Sequence, residues 1–121
     1  YIVTMKILKS LSILVAIVGL LSACSSEDLT PSNASIDQVI DVRTAAEYSQ
    51  GHIAGAINID VESAGFETAV SQLDKSKTYL VYCHSGRRSA IAADHMHSDG
   101  FTVLDGGAID AMVQRGWSIG A

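Results

Sequence analysis

In the segment Tyr79-Leu80-Val81-Tyr82-Cys83-His84-Ser85-Gly86-Arg87-Arg88-Ser89, a short apolar run delivers a cysteine into a glycine-containing loop with two arginines. A helix-like stretch follows at once. Backbone N–H groups at a helix start attract negative charge, and neighbouring guanidinium groups strengthen that field. The same field lowers the pKa of a thiol inside it, which predicts Cys83 as a thiolate nucleophile at the floor of an anion-binding cradle. A small buried hydrophobe is the bland alternative, and the polar residues that follow Cys83 argue against it. The chemistry this suggests is attack by sulfur on a small anion.

Such a loop needs elements that hold it. Val39-Ile40-Asp41-Val42 reads as a short apolar strand, and Thr44 is placed to cap a brief helix through Tyr48. Gly51-His52-Ile53 reads as a turn and Ala56 to Ile59 as a second strand. Ala64 to Leu73 carries Phe66, Ala69, Val70 and Leu73 at helical spacing. Thr78 to Tyr82 is rich in β-branched and aromatic residues, as strands are. An alanine-rich helix is expected over 89–98 with Gly100 just beyond its end, then a strand over 101–104 and a last helix over 108–115. Strands alternating with helices predict an α/β fold, a parallel sheet with helices on both faces in three layers. Ligands of such sheets bind at the carboxyl ends of strands, and Cys83 sits at one.

The first 24 residues read as a targeting segment of the lipoprotein type. Lys6 and Lys9 follow Met5, the expected true start, and Leu11 to Leu21 is nearly all apolar. That run is shorter than the roughly 18–20 residues a membrane-spanning helix needs. Leu21-Ser22-Ala23-Cys24 resembles a bacterial lipobox, which implies a lipid on Cys24 after cleavage; an uncleaved anchor is the alternative. Ser25 is not the aspartate that resembles an inner-membrane retention signal, so the expectation is a periplasm-facing protein anchored to the outer membrane. Residues 25–35, with Pro31, read as a tether, and 36–121 as one small domain. With Cys24 lipidated, Cys83 is an unpaired thiol outside the cytoplasm, which is unusual unless its reactivity is used. Without Lys6 and Lys9 the chain keeps six Lys/Arg against thirteen Asp/Glu, a formal charge of −7. So acidic a chain lacks the cationic footprint of a nucleic-acid binder.

Asp41-Val42-Arg43, Glu47-Tyr48 and Gly51-His52-Ile53-Ala54-Gly55-Ala56-Ile57-Asn58-Ile59 together resemble the first half of a rhodanese domain. The Cys83 to Ser89 loop and Leu104-Asp105-Gly106-Gly107 resemble its second half, so the likeness spans nearly all of residues 36–117. It is greatest to single-domain, exported thiosulfate sulfurtransferases. The resemblance implies transfer of sulfane sulfur from thiosulfate to cyanide or a thiol through a persulfide on Cys83, with no cofactor and no metal. A persulfide carrier that delivers sulfur to a protein acceptor is the alternative. Backbone N–H groups of His84, Ser85, Gly86, Arg87 and Arg88 would cradle the anion, with the Arg88 and Arg87 side chains adding charge-assisted bonds, either of them the dominant one. Asp41 and His52 would fix loops beside the site. Arg43 could approach it, or form a structural pair with Glu47.

Phosphatases and arsenate reductases with related cysteine loops carry an arginine six positions after the cysteine; here that position is Ser89. Two departures from the family concern packing near the last helix. Ala111 stands where a tryptophan is common, with Trp117 following Gly116 instead, and the usual proline is missing. His95 and His97 lie two apart on a helix, point to different faces, and so are read as an exposed pair rather than a chelate.

Overall fold

A computed structural model describes residues 35–120. The expected targeting segment, Cys24 and the tether up to residue 34 lie outside the described residues. Ten elements follow one another: β1 (Gln38–Asp41), α1 (Ala45–Ser49), β2 (His52–Ile53), β3 (Ile57–Asn58), α2 (Phe66–Ser71), β4 (Thr78–Cys83), α3 (Arg87–Ser98), β5 (Thr102–Ala108), α4 (Ile109–Gln114) and β6 (Ile119–Gly120).

Four strands form one parallel sheet in the order β3-β1-β4-β5. The central strands β1 and β4 are covered on both faces, which explains their continuous apolar character. Alternation along β4 sorts its side chains. Tyr79, Val81 and Cys83 join Ile40, Val42 and Val103 under Phe66 and Val70 of α2 and Ala92, Ala93 and Met96 of α3. Leu80 and Tyr82 face the other way, with Val39, Ile53, Ala56 and Met112 of α4. The sheet therefore has a core on each side, and the expected parallel sheet between helices is what forms.

Local chemistry sets the ends of the helices. Thr44 and Glu47 make a reciprocal capping box at the start of α1. At the end of α3, Gly100 donates to the His97 carbonyl and Phe101 to that of Met96, at 3.0 Å each. Gly116 and Trp117 repeat that pattern on Val113 and Met112 after α4, closing both helices by the same glycine-dependent motif.

Three expectations change. Gly51 to Ile53 is not a plain turn: His52 and Ile53 pair antiparallel with Gly120 and Ile119. A two-residue strand has too little alternation to announce itself in sequence. The fifth strand runs to Ala108 rather than Leu104, because the register against β4 slips between Val81 and Tyr82 and leaves Gly106 as an extra residue. A Cβ at Gly106 would lie 2.6 Å from Leu80 Cδ2 and 2.7 Å from Met112 Sδ, so any other residue must displace those side chains. The helix after the cysteine loop starts at Arg87, two residues earlier than expected. Among the described residues no helix is long and apolar enough to cross a membrane.

Candidate active site

Cys83 ends β4, between β1 and β5 at the carboxyl edge of the sheet, and has no exposed surface. Its register partner Ala108 and the neighbouring strands fix its backbone from both sides. Gly86 then caps α3 with φ +99°, in the left-handed region that favours glycine. A Cβ there would meet nothing closer than 3.7 Å, so backbone conformation rather than space demands the glycine. This curl returns the Gly86 N–H to Cys83 Sγ at 2.9 Å. Ser89, fully buried one turn into α3, donates its hydroxyl to the Gly86 carbonyl at 3.1 Å and stiffens the curl.

Burial pushes the Cys83 thiol up and is the largest single influence on it. The donors around the sulfur outweigh that influence: the backbone N–H of Ser89 first, then the Ser89 hydroxyl when its single proton turns from the Gly86 carbonyl to the sulfur, and the N–H groups of Gly86 and Ser85. The net result is a thiol held below its ordinary pKa. Sequence reasoning missed Ser89 as part of this set. Its signal is the position itself, a hydroxyl in the first turn of a helix that begins beside a cysteine.

Of the loop residues expected to form the cradle, His84, Ser85 and Arg87 are exposed. The Arg87 side chain has no hydrogen bond or ion pair among the described residues. Arg88, expected as an anion ligand, is already engaged. Its Nη1 donates to Glu47 Oε1 at 2.8 Å and its Nη2 to Glu47 Oε2 at 3.0 Å, with Glu62 3.9 Å from Nη1. That bidentate bond holds the Glu47 carboxyl down at about 2, and the same bond raises Arg88.

The expected Arg43–Glu47 pair is therefore corrected. Arg43 turns to Asp41 because both belong to the opposite, Tyr82 face of the sheet. Asp41, with no exposed surface, accepts from the Arg43 backbone N–H at 2.9 Å, from Arg43 Nη2 at 2.8 Å and from the Tyr82 hydroxyl at 2.7 Å. Arg43 Nη2 also donates to the Gly51 carbonyl at 2.7 Å, tying the segment after β1 to the turn before β2. The Tyr82 hydroxyl in turn accepts the Ile53 N–H at 2.9 Å. Asn58 Nδ2 binds the carbonyls of Asp41 and Arg43 at 3.0 and 2.9 Å. His52 stacks on Tyr48, ring centroids 3.7 Å apart, with Nδ1 2.9 Å from the Tyr48 carbonyl. Asp41, Arg43 and His52 thus position loops and do not reach the sulfur's face.

His95 and His97 do diverge. His97 Nε2 is 2.7 Å from the Val103 carbonyl, whereas His95 Nε2 lies 3.3 Å from Glu67 and 3.5 Å from Asp99. Open hollows of about 320 and 200 Å³ flank His95 on the α2–α3 face, and Cys83 lines neither. Among the described residues no three His, Cys, Asp or Glu side chains are grouped to hold a metal ion.

Comparison with known proteins points the same way as the loop. The profile of the rhodanese-like domain matches residues 27–109. Over 66 residues the chain is 38% identical to thiosulfate sulfurtransferase PspE of Escherichia coli strain K12, covering 54% of this chain and 64% of that protein. Over 73 residues it is 33% identical to thiosulfate sulfurtransferase GlpE of Shewanella oneidensis, covering 58% of this chain and 70% of that one. The crystal structure of a rhodanese-related protein from Thermoplasma volcanium superposes with a TM-score of 0.61 at 31% identity, over 69% of this chain and 82% of that one. The matched stretch is thus just under two thirds of the length of PspE.

Proposed function

The chain belongs to the rhodanese-like domain family, and from that premise we propose that it is a thiosulfate sulfurtransferase working through a persulfide on Cys83. The observation that carries this reading is the Gly86 N–H at 2.9 Å from Cys83 Sγ, in a loop whose donors lower the thiol's pKa. The Cys83 thiolate attacks the outer sulfur of thiosulfate; the S–S bond of the donor breaks and sulfite departs with its electron pair. The persulfide left on Cys83 inherits the same donors, which are already in place and need no reorganisation. Cyanide or a thiolate then attacks the outer persulfide sulfur, giving thiocyanate or a new persulfide and returning the Cys83 thiolate. Charge balances at each step without a metal or an organic cofactor.

Cys83 has no exposed surface, so a persulfide on it would start from an enclosed position at the base of the loop. That enclosure also supports a second reading, a carrier that shields the persulfide and releases it to a protein acceptor. Thiocyanate formation from thiosulfate and cyanide separates the two readings. Turnover lost in Cys83→Ser supports the enzyme, and an unchanged rate in that variant refutes it. The lipobox-like Leu21 to Cys24 supports the further proposal of a lipid anchor on the cell envelope.

A further inference from the structure

We infer that the hollow over Ile91 seats the sulfur acceptor, a thiol on an apolar stem that ends in a cation; the acceptor role, though not the affinity, rests on the sulfur-transfer reading. The hollow measures about 200 Å³ and lies between α3 and the segment from Val61 to Glu67. Its floor is apolar, made by Val61, Ala64, Phe66 and Ile91. Ile91 is 54% exposed, the most of any large hydrophobic residue among those described, on the helix that starts at the cysteine loop.

Backbone bonds tie this hollow to the reacting residue. The Val61 N–H donates to the Val42 carbonyl at 3.2 Å, and the Val42 N–H to that of Tyr82, next to Cys83, at 3.0 Å. Two strand spacings, about 10 Å, therefore separate Val61 from the end of β4. Phe66 and Cys83 belong to one core cluster, and Val61 packs on it. Along α3, Ile91 and His95 follow Gly86 at rises of about 7.5 and 13.5 Å, and the Gly86 N–H is bound to Cys83 Sγ. The far rim carries charge. Glu67 and His95 line it, with the 77%-exposed Glu67 carboxylate 3.3 Å from His95 Nε2. Asp99 lies 3.5 Å from the same nitrogen, and Lys75 in the adjoining hollow is turned over the Phe101 ring. An apolar floor leading from the sulfur to two carboxylates complements a thiol whose stem carries a terminal amine. Its thiolate attacks the outer sulfur of the Cys83 persulfide, the new S–S bond forms as the old one breaks, and Cys83 leaves as the thiolate. Thiosulfate, received by the loop N–H groups, has no need of the hollow.

The test needs no sulfane sulfur. The full chain is equilibrated with pairs of symmetric disulfides of 6-aminohexane-1-thiol, 6-mercaptohexan-1-ol, 6-mercaptohexanoic acid and 2-mercaptoethanol, and the Cys83 peptide is quantified by mass spectrometry. In each exchange the Cys83 thiolate attacks one disulfide sulfur and the other half leaves as a thiolate. Capture ratios are compared between chains, so the intrinsic chemistry of the probes cancels. Ile91→Gln should lower capture of the hexyl alcohol relative to 2-mercaptoethanol roughly fourfold, the worth of about one methylene kept from water. Glu67→Gln should lower the amine-to-alcohol ratio of the hexyl probes roughly twofold to fivefold, as one exposed ion pair is worth, and raise the acid-to-alcohol ratio. Ile119→Gln, similarly exposed but on β6, should move none of these ratios. An unchanged ratio in Ile91→Gln or in Glu67→Gln, or an equal change in Ile119→Gln, would overturn the inference. Failure of thiosulfate turnover in the unaltered chain would count against the sulfur-transfer reading and leave these ratios standing.

Discussion

Replacing Tyr82 by phenylalanine removes one oxygen from the junction that holds the loops at the carboxyl edge of the sheet. That hydroxyl donates to Asp41 Oδ2 at 2.7 Å and accepts the Ile53 N–H at 2.9 Å, and Tyr82, Asp41 and Ile53 have no exposed surface. Without it the Ile53 N–H is buried with no acceptor, a loss of about 1–3 kcal/mol, and Asp41 loses a charge-assisted bond of similar worth. The two share one network and do not add fully, so the expected loss is about 2–4 kcal/mol. For a domain of this size that lowers the thermal midpoint by roughly 10–25 °C. Urea denaturation should show a lower midpoint at an unchanged slope.

The same residue has a pH signature. Burial, before all else, raises the Tyr82 pKa well above its ordinary 10.0. A folded-state pKa above the unfolded one gives stability that is fully present below the unfolded pKa and lost as pH rises through the folded one. The unaltered chain should therefore lose stability progressively above about pH 10, and Tyr82→Phe should lose less over that window. A destabilisation below about 0.5 kcal/mol, with an unaltered alkaline limb, would refute the role assigned to the hydroxyl.

Further expectations concern packing, acid and membrane. Gly106→Ala places a methyl against the Val81 carbonyl at 3.0 Å as well as Leu80 and Met112, and should cost about 1–3 kcal/mol by chemical denaturation. Glu47, lowered from 4.5 to about 2, contributes stability that is present above the unfolded value and lost as pH falls through about 2. Discounted for its partial exposure this is about 1 kcal/mol, and Glu47→Gln should flatten the acid limb of a stability profile. Cys24→Ala should release the protein from cell membranes on fractionation; continued attachment would point to an uncleaved anchor.

Much of this architecture is legible in the sequence because strands and helices alternate with strong periodicity and the helix ends carry Thr44, Gly100 and Gly116. Cys83 and Gly86 are legible for the same reason, since residue type and position suffice to suggest an activated thiol. Ion-pair partners are not. Glu47 is four residues from Arg43 and 41 from Arg88 in the chain, yet the sheet turns Arg43 to the Tyr82 face and sets Glu47 beside α3. Strand alternation fixes this, and it acts only once β1 and β4 are paired in register. The β2–β6 pairing and the bulge at Gly106 share that dependence on tertiary contact. Ser89 was hidden because a serine at a helix start has a sufficient local reason to be there.

The central claim is that Cys83 takes a sulfur atom from thiosulfate and gives it up again. Mass spectrometry of the full chain after thiosulfate, with and without cyanide, tests it most directly. One added sulfur atom on the Cys83 peptide, removed by cyanide with release of thiocyanate, is the predicted result. A Cys83 peptide that never gains sulfur while the protein remains folded would contradict the account.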